Sequence, residues 1–119
     1  YGGIWQCVTG KIESGEKPVE TAIRELKEET ELSPINKWTV DQVNHFYEAE
    51  FDLMNLIPVF GVEVDSLMVN LSDEHCDYKW CNIKEAEELF TWSHQKNGLL
   101  AFYEMLTSQT EKLTFSKII

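Results

Sequence analysis

Residues 10–32 read GKIESGEKPVETAIRELKEETEL, a glycine turn running into an acidic helix whose faces are set by residue spacing. Pro18 suits a first helical turn, where its missing N–H leaves nothing unpaired, and Glu16 and Glu20 lie near the positive end of the helix dipole, so a helix is predicted to begin near Lys17. Val19, Ala22, Ile23 and Leu26 recur at the i, i+3, i+4, i+7 spacing of one buried stripe. Glu25, Glu28 and Glu29, at i, i+3 and i+4, project together from an adjacent face. A fold built on this helix must bury one side of it and leave three carboxylates side by side on another.

Like charges at i, i+4 cost a helix roughly 0.2–0.5 kcal/mol per pair, a cost that a divalent cation would remove. Hard oxygen donors select magnesium, with manganese as a substitute, and a site with few protein ligands keeps coordination positions open for water and phosphate oxygens. The plainer alternative is a solvated acidic face, with Arg24 in a surface ion pair worth about 0–1 kcal/mol.

A chain of 119 residues with 43% apolar content makes one domain, 1–119, around one core. No apolar run approaches the roughly 18 residues that would span a bilayer. Cys7, Cys76 and Cys81 form neither a CxxC nor a Cys/His metal spacing. Scattered thiols of this kind suit a reducing compartment better than a disulfide scaffold, and a soluble, cytoplasmic protein is expected. The net charge of −11 argues against a nucleic-acid polymer as partner. A small polyphosphate carried in with its magnesium is compatible, because the metal supplies the positive charge. Lys11, Lys17 and Lys27 recur near the acids, and Lys11 is a candidate phosphate contact with solvated surface as its alternative.

Around this segment the pattern predicts a Gly2-Gly3 turn, a short strand over 4–9, extended stretches over 37–40 and 43–51, and a β-run over 55–64 whose Pro58 marks an edge or a bulge. A further short strand is predicted over 78–81 and helices over 84–90 and about 94–107, the last with Leu99, Phe102, Tyr103 and Leu106 on one face. The order describes an α+β domain with a mixed sheet between helices. The tail over 111–119 carries no assignable pattern.

The positions of Gly10, Glu16, Arg24, Glu25, Leu26, Glu28, Glu29 and Leu32 resemble the Nudix hydrolase signature, G-x5-E-x7-R-E-U-x-E-E-x-G-U with U aliphatic. Glu31 stands where that signature has glycine. A glutamate there either adopts a left-handed cap at about 1–2 kcal/mol or lets the helix run on to Ser33-Pro34. The resemblance implies an α/β/α sandwich and metal-assisted hydrolysis of a phosphoanhydride. It implies that Glu28 and Glu29 bind metal, that Glu25 binds metal or positions the attacking water, and that Arg24 orients that acid. Glu16 would support the loop and metal shell, and the Thr9 carbonyl would be a backbone ligand. Family members carry a strand and hairpin before the motif, so an N-terminal strand region is expected to be missing here.

Residues 71–80, LSDEHCDYKW, run from an acidic turn toward an aromatic strand. In several Nudix branches a Glu-His pair at this place lends its glutamate to the metal shell or to proton abstraction. That assigns Glu74, with Asp73 second and a solvated loop acid as the alternative. His75 reads as a packing or hydrogen-bonding residue, and His45 and His94 have no evident partner. Together with Trp5-Gln6-x-x-Thr9-Gly10 and Tyr78-x-Trp80, this segment resembles the dihydroneopterin triphosphate / dATP pyrophosphohydrolase branch. Trp5, Gln6 and Lys11 are its candidate substrate contacts; Trp5 and Phe46-Tyr47 are able to stack on a pterin or purine, with core packing as the alternative.

The implied substrate is a nucleotide or pterin triphosphate, cleaved to a monophosphate and pyrophosphate. No nucleic-acid polymer or membrane partner is expected, and a homodimer is left open. The rivals are cleavage of dinucleoside polyphosphates or ADP-ribose, a silent Nudix domain that senses a nucleotide, and an acidic interaction domain insensitive to magnesium. Silent members usually lose a motif glutamate, and this chain keeps them.

Overall fold

The computed structural model describes residues 4–75 and 77–119. Helix α1 (Pro18–Thr30) leads into a long hairpin of β1 (Pro34–Glu48) and β2 (Leu53–Val64). Then come α2 (Ile83–Leu89), α3 (Ser93–Thr107), α4 (Thr110–Ser116) and the two-residue β3 (Lys117–Ile118). Among the described residues the sheet is β2-β1-β3, antiparallel throughout; the parallel element is a single bridge between Trp5 and Phe90.

α1 starts where Pro18 predicts, with Lys17 extended before it and the Glu20 carboxylate accepting the Lys17 N–H at 3.3 Å. Its end resolves the Glu31 question: Glu31 takes the left-handed conformation, φ 62°, and donates its N–H to the Lys27 carbonyl at 2.9 Å. The helix therefore does not run on to Ser33-Pro34. The glutamate bears the strain that a glycine avoids, about 1–2 kcal/mol, while the Lys27 ammonium donates to the Glu31 carbonyl at 3.3 Å.

In the hairpin, Pro58 lies opposite Val43 on β2, an edge strand, where a missing N–H is tolerated. The register shifts between Thr39 and Val43, so the irregularity falls on β1 across from the proline's neighbourhood. β1 stops at Glu48, before a turn in which Asp52 has φ 52° and its carboxylate accepts the Tyr47 hydroxyl at 2.6 Å.

α3 packs across this hairpin. A Cβ on Gly61 would overlap the Phe102 ring, and Phe102 lies 5.8 Å from Trp38, ring centre to ring centre. Gly98 lets the helix approach the strand until a Cβ there would touch Val59 at 3.4 Å. That close approach turns Gln95, Gly98 and Met105 inward, so the face predicted through Leu99, Phe102, Tyr103 and Leu106 is only half right: Tyr103 and Leu106 are exposed. Leu32, Val40 and Met105 are the buried apolar side chains among the described residues, Met105 completely so.

Three further expectations are corrected. Residues 4–9 form no strand beyond the Trp5 bridge, and residues 78–81 form none; the Trp80 indole instead donates to the Leu67 carbonyl at 2.9 Å. On α1 the Val19, Ala22, Ile23 and Leu26 stripe is half-buried, and the buried residues are Thr21, Glu29 and Thr30. Leu53, Met54 and Leu56 stay exposed on the free edge of β2, beside which no described strand pairs. The tail closes the other side of β1 through β3, opposite Lys37 and Trp38. The Gly2-Gly3 turn and Cys76 lie outside the described residues. Among those described, no helix is long and apolar enough to cross a membrane.

Candidate active site

Arg24 organises the acidic face of α1. Its Nε and Nη2 donate to the two Glu16 oxygens at 2.8 and 3.1 Å, and Nη2 also donates to the Lys11 carbonyl at 2.9 Å. Its Nη1 donates to Glu25 at 2.8 Å and to Glu28 at 3.1 Å. One planar guanidinium thus ties the loop after Gly10 to the helix, hydrogen-bonding three carboxylates and pairing with a fourth, Glu13, at 3.7 Å, a geometry that a lysine cannot reproduce.

Glu16 is wholly engaged. Besides Arg24 it accepts the Thr21 hydroxyl at 2.6 Å and the Glu13 N–H at 3.0 Å. Those bonds, the Arg24 pair first, lower its pKa from 4.5 to about 2. Three of these bonds fall on Oε1, while Oε2 accepts Arg24 Nε, so the carboxylate braces the loop against the helix. Gly10 is glycine for a physical reason, since a Cβ there would overlap the Glu25 carboxyl.

Glu29 differs from its neighbours. It is 8% exposed, and Arg24 does not reach it. Burial raises its pKa; the facing His75 opposes that shift, and the neighbouring Glu25 adds to it. His75 Nε2 stands 3.5 Å from Glu29 Oε1. The segment over 70–75 is docked there by backbone bonds, Asn70 N–H to the Thr30 carbonyl at 3.0 Å and Ser72 N–H to the Glu29 carbonyl at 3.2 Å.

The sequence-predicted residues are therefore brought together unevenly. Arg24, Glu16, Glu25 and Glu28 form one network, with Glu29 against its inner side. Among the described residues no three His, Cys, Asp or Glu side chains converge as a ready cation site, so the expected cluster of Glu25, Glu28, Glu29 and Glu74 is not assembled in this conformation. Arg24 supplies part of the positive charge beside Glu25 and Glu28. Glu74 is exposed on a turn, and its neighbour His75 faces the helix instead. Sequence spacing carries no signal for that contact, because it depends on how the loop docks on α1.

Thr9, Gln6 and Lys11 are exposed; Lys11 contributes its carbonyl to Arg24, and Trp5 is half-buried in its bridge to Phe90. His94 does have partners, stacking on Phe46 at 5.9 Å and on Trp92 at 6.3 Å between ring centres. Phe46 is thereby occupied, whereas Tyr47 is bound to Asp52.

The residues present fit a divalent cation. Glu29 is a buried carboxylate beside a second one, Glu25, with no guanidinium of its own, and both offer the hard oxygens that magnesium or manganese prefers. The Glu29 pKa is raised first by burial and, to a lesser degree, by the neighbouring Glu25 charge, and a bound cation would offset both.

The NUDIX domain model matches residues 1–102. The chain is 34% identical over 99 residues to dihydroneopterin triphosphate diphosphatase of Haemophilus influenzae, covering 72% of this chain and 62% of that protein. It is 35% identical over 95 residues to an octanoyltransferase of Myxococcus xanthus, covering 73% of this chain but only 25% of that protein. The chain thus spans less than two thirds of the length of these relatives. Among solved structures, a Listeria monocytogenes protein assigned to the NUDIX hydrolases superposes with a TM-score of 0.69 at 26% identity, covering 92% of this chain and 78% of its own. With the signature residues joined through Arg24, a matching domain model over most of the chain and the shared α+β fold, this chain belongs to the Nudix family.

Proposed function

We propose that the domain hydrolyses a phosphoanhydride of a nucleoside triphosphate or of dihydroneopterin triphosphate, with magnesium as cofactor and manganese as a substitute, releasing pyrophosphate and a monophosphate. The single observation that carries this reading is Glu29, a carboxylate buried beside Glu25 and left outside the Arg24 network. Glu29, Glu28 and Glu25 are the residues that would hold the cation, with the Thr9 carbonyl in support. A cation held there would supply charge neutralisation for the phosphates and would lower the pKa of water near it, so that losing a proton leaves a nucleophile. Arg24 holds Glu25 in place through Nη1. Glu25 then receives the proton of the attacking water, and Glu16 keeps Arg24 aligned by taking two of its N–H groups.

Glu74 is assigned as a mobile ligand or base that joins when substrate is present, in keeping with its exposed turn. Trp5, Gln6 and Lys11 are assigned to the substrate. The likeness to the Haemophilus dihydroneopterin triphosphate diphosphatase supports the pterin reading, and the charge of −11 favours a substrate that arrives with its metal. The partner is a small molecule; neither a nucleic-acid polymer nor a membrane is proposed, and a cytoplasmic setting fits the thiols.

The test is a panel of nucleoside triphosphates, dihydroneopterin triphosphate, ADP-ribose and dinucleoside tetraphosphate, followed by phosphorus NMR with and without magnesium. Pyrophosphate with a monophosphate from a triphosphate supports the proposal. Release only from ADP-ribose or the dinucleotide replaces the substrate class, and no release from any of them refutes hydrolysis.

A further inference from the structure

The loop docked on Glu29 carries two buried side-chain polar atoms without a hydrogen-bond partner, Ser72 Oγ and His75 Nε2, and of these the imidazole nitrogen is the one that faces the Glu29 carboxylate. His75 Nε2 is buried and has no hydrogen-bond partner, yet it faces Glu29 Oε1 at 3.5 Å. That separation exceeds the roughly 2.7–3.2 Å of an N–H···O bond, so the two groups confront each other without closing one. Backbone geometry enforces the confrontation: Ser72 donates to the Glu29 carbonyl, and the His75 N–H returns to the Ser72 carbonyl at 3.2 Å, turning the imidazole toward the helix. Arg24 serves Glu16, Glu25 and Glu28, and the basic group that faces Glu29 is His75.

We propose that His75 is the positioning residue of Glu29. Closing the 3.5 Å gap by a few tenths of an ångström would let an Nε2–H donate to Glu29 Oε1 and leave the other oxygen for the divalent cation. No bond is broken and no charge changes; the imidazole fixes which way a metal-holding carboxylate points. The inference rests on the metal-dependent reading above and adds a residue to it. Outer-shell donors of this type typically change metal affinity about 10–100-fold.

The test is manganese binding followed by electron paramagnetic resonance on the wild-type protein and on His75→Leu, His75→Asn, His75→Gln and Glu29→Gln. Glutamine places an amide N–H near the position of Nε2, whereas asparagine is too short to do so. The expected result is a manganese Kd raised about 10–100-fold in His75→Leu and His75→Asn and restored close to wild type in His75→Gln. Unchanged affinity in His75→Leu overturns the proposal. Equal weakening in His75→Gln and His75→Asn also overturns it, because packing alone would then account for the loss. Should His75→Leu fail to fold by circular dichroism, the Gln and Asn pair decides. A directly bound nitrogen coupling in the manganese spectrum would make His75 a ligand and overturn the positioning role. Glu29→Gln separates the two levels: if it leaves manganese affinity intact, the metal reading itself fails, whereas if it weakens binding and His75→Leu does not, only the assignment of His75 falls.

Discussion

Gly10→Ala tests whether the glycine of the signature is there for the catalytic carboxylate or for the turn. A Cβ at this position overlaps Cγ, Cδ and Oε1 of Glu25, so the outer half of that side chain has to move as a unit. Moving it breaks the 2.8 Å bond to Arg24, while Arg24 keeps its two bonds to Glu16. The structural loss is thus one partly screened ion pair, about 1 kcal/mol or less, or roughly 4 °C in Tm for a domain of this size. The functional loss is larger, since displacing a catalytic group by about 1 Å is able to cost about 100-fold in rate. The control is Gly61→Ala, where the Cβ overlaps Phe102 held against Trp38. Overpacking there destabilises by about 1–3 kcal/mol, with activity per folded molecule preserved. Thermal melting and initial rates of pyrophosphate release, measured on both variants, read the contrast. Wild-type turnover in Gly10→Ala, or a rate loss no greater than its loss of folded protein, would refute the reasoning.

Glu16 has its folded pKa lowered to about 2, so its stabilising contribution is present above its ordinary 4.5 and is lost as pH falls through about 2. Glu16→Gln should accordingly flatten the dependence of Tm on pH across that window. Glu29 is shifted the other way, and its contribution is present below the ordinary carboxylate pKa and lost as pH rises through the raised folded value. In EDTA at neutral pH, Glu29→Gln should therefore melt no lower than wild type, while its magnesium-dependent activity falls by orders of magnitude. Magnesium itself should raise the wild-type Tm, by the equivalent of about 2.7 kcal/mol at 100 times Kd, with the shift abolished in Glu29→Gln. Glu74→Gln should lower kcat by about 10²–10⁴ while Asp73→Asn changes little; exchanged effects would move the role to Asp73.

What was legible in the sequence follows from what is local. The start of α1 at Pro18, β2, α2 and α3 depend on spacing and propensity within short windows and stand close to where spacing put them, whereas β1 runs unbroken over Pro34–Glu48 in place of stretches over 37–40 and 43–51. The misplacements are all long-range. The half-burial of Val19, Ala22, Ile23 and Leu26 and the absence of strands at 4–9 and 78–81 depend on what packs beside them, which periodicity does not encode. The contact face of α3 was misread because Gly98 counts as nothing in an apolar pattern, although it is the point of closest approach to Val59. Glu31 shows a local rule overridden: the chain accepts a left-handed glutamate because Leu32 has to enter the core and the hairpin has to start at Pro34.

The same division runs through the site. The sequence shows a crowd of carboxylates and asks what neutralises them; the structure answers with two agents, Arg24 for Glu16, Glu25 and Glu28, and something else for Glu29. A guanidinium satisfies three acids at once because it presents five donors in one plane. It cannot turn toward Glu29 without releasing one of them, since Nε, Nη1 and Nη2 are all in use. Glu29 is left with a facing imidazole that has not closed its bond and a second carboxylate whose charge it must tolerate. On the reading proposed above, a divalent cation would relieve both at once, drawing on the Glu29 oxygen away from His75 and on Glu25 without dissolving the Arg24–Glu16 brace. In this arrangement the arginine sets the frame and Glu29 sets the affinity, so their removal should fail differently: Glu29→Gln loses metal from a folded domain, whereas Arg24→Met loosens the loop from the helix and takes metal affinity and melting temperature down together.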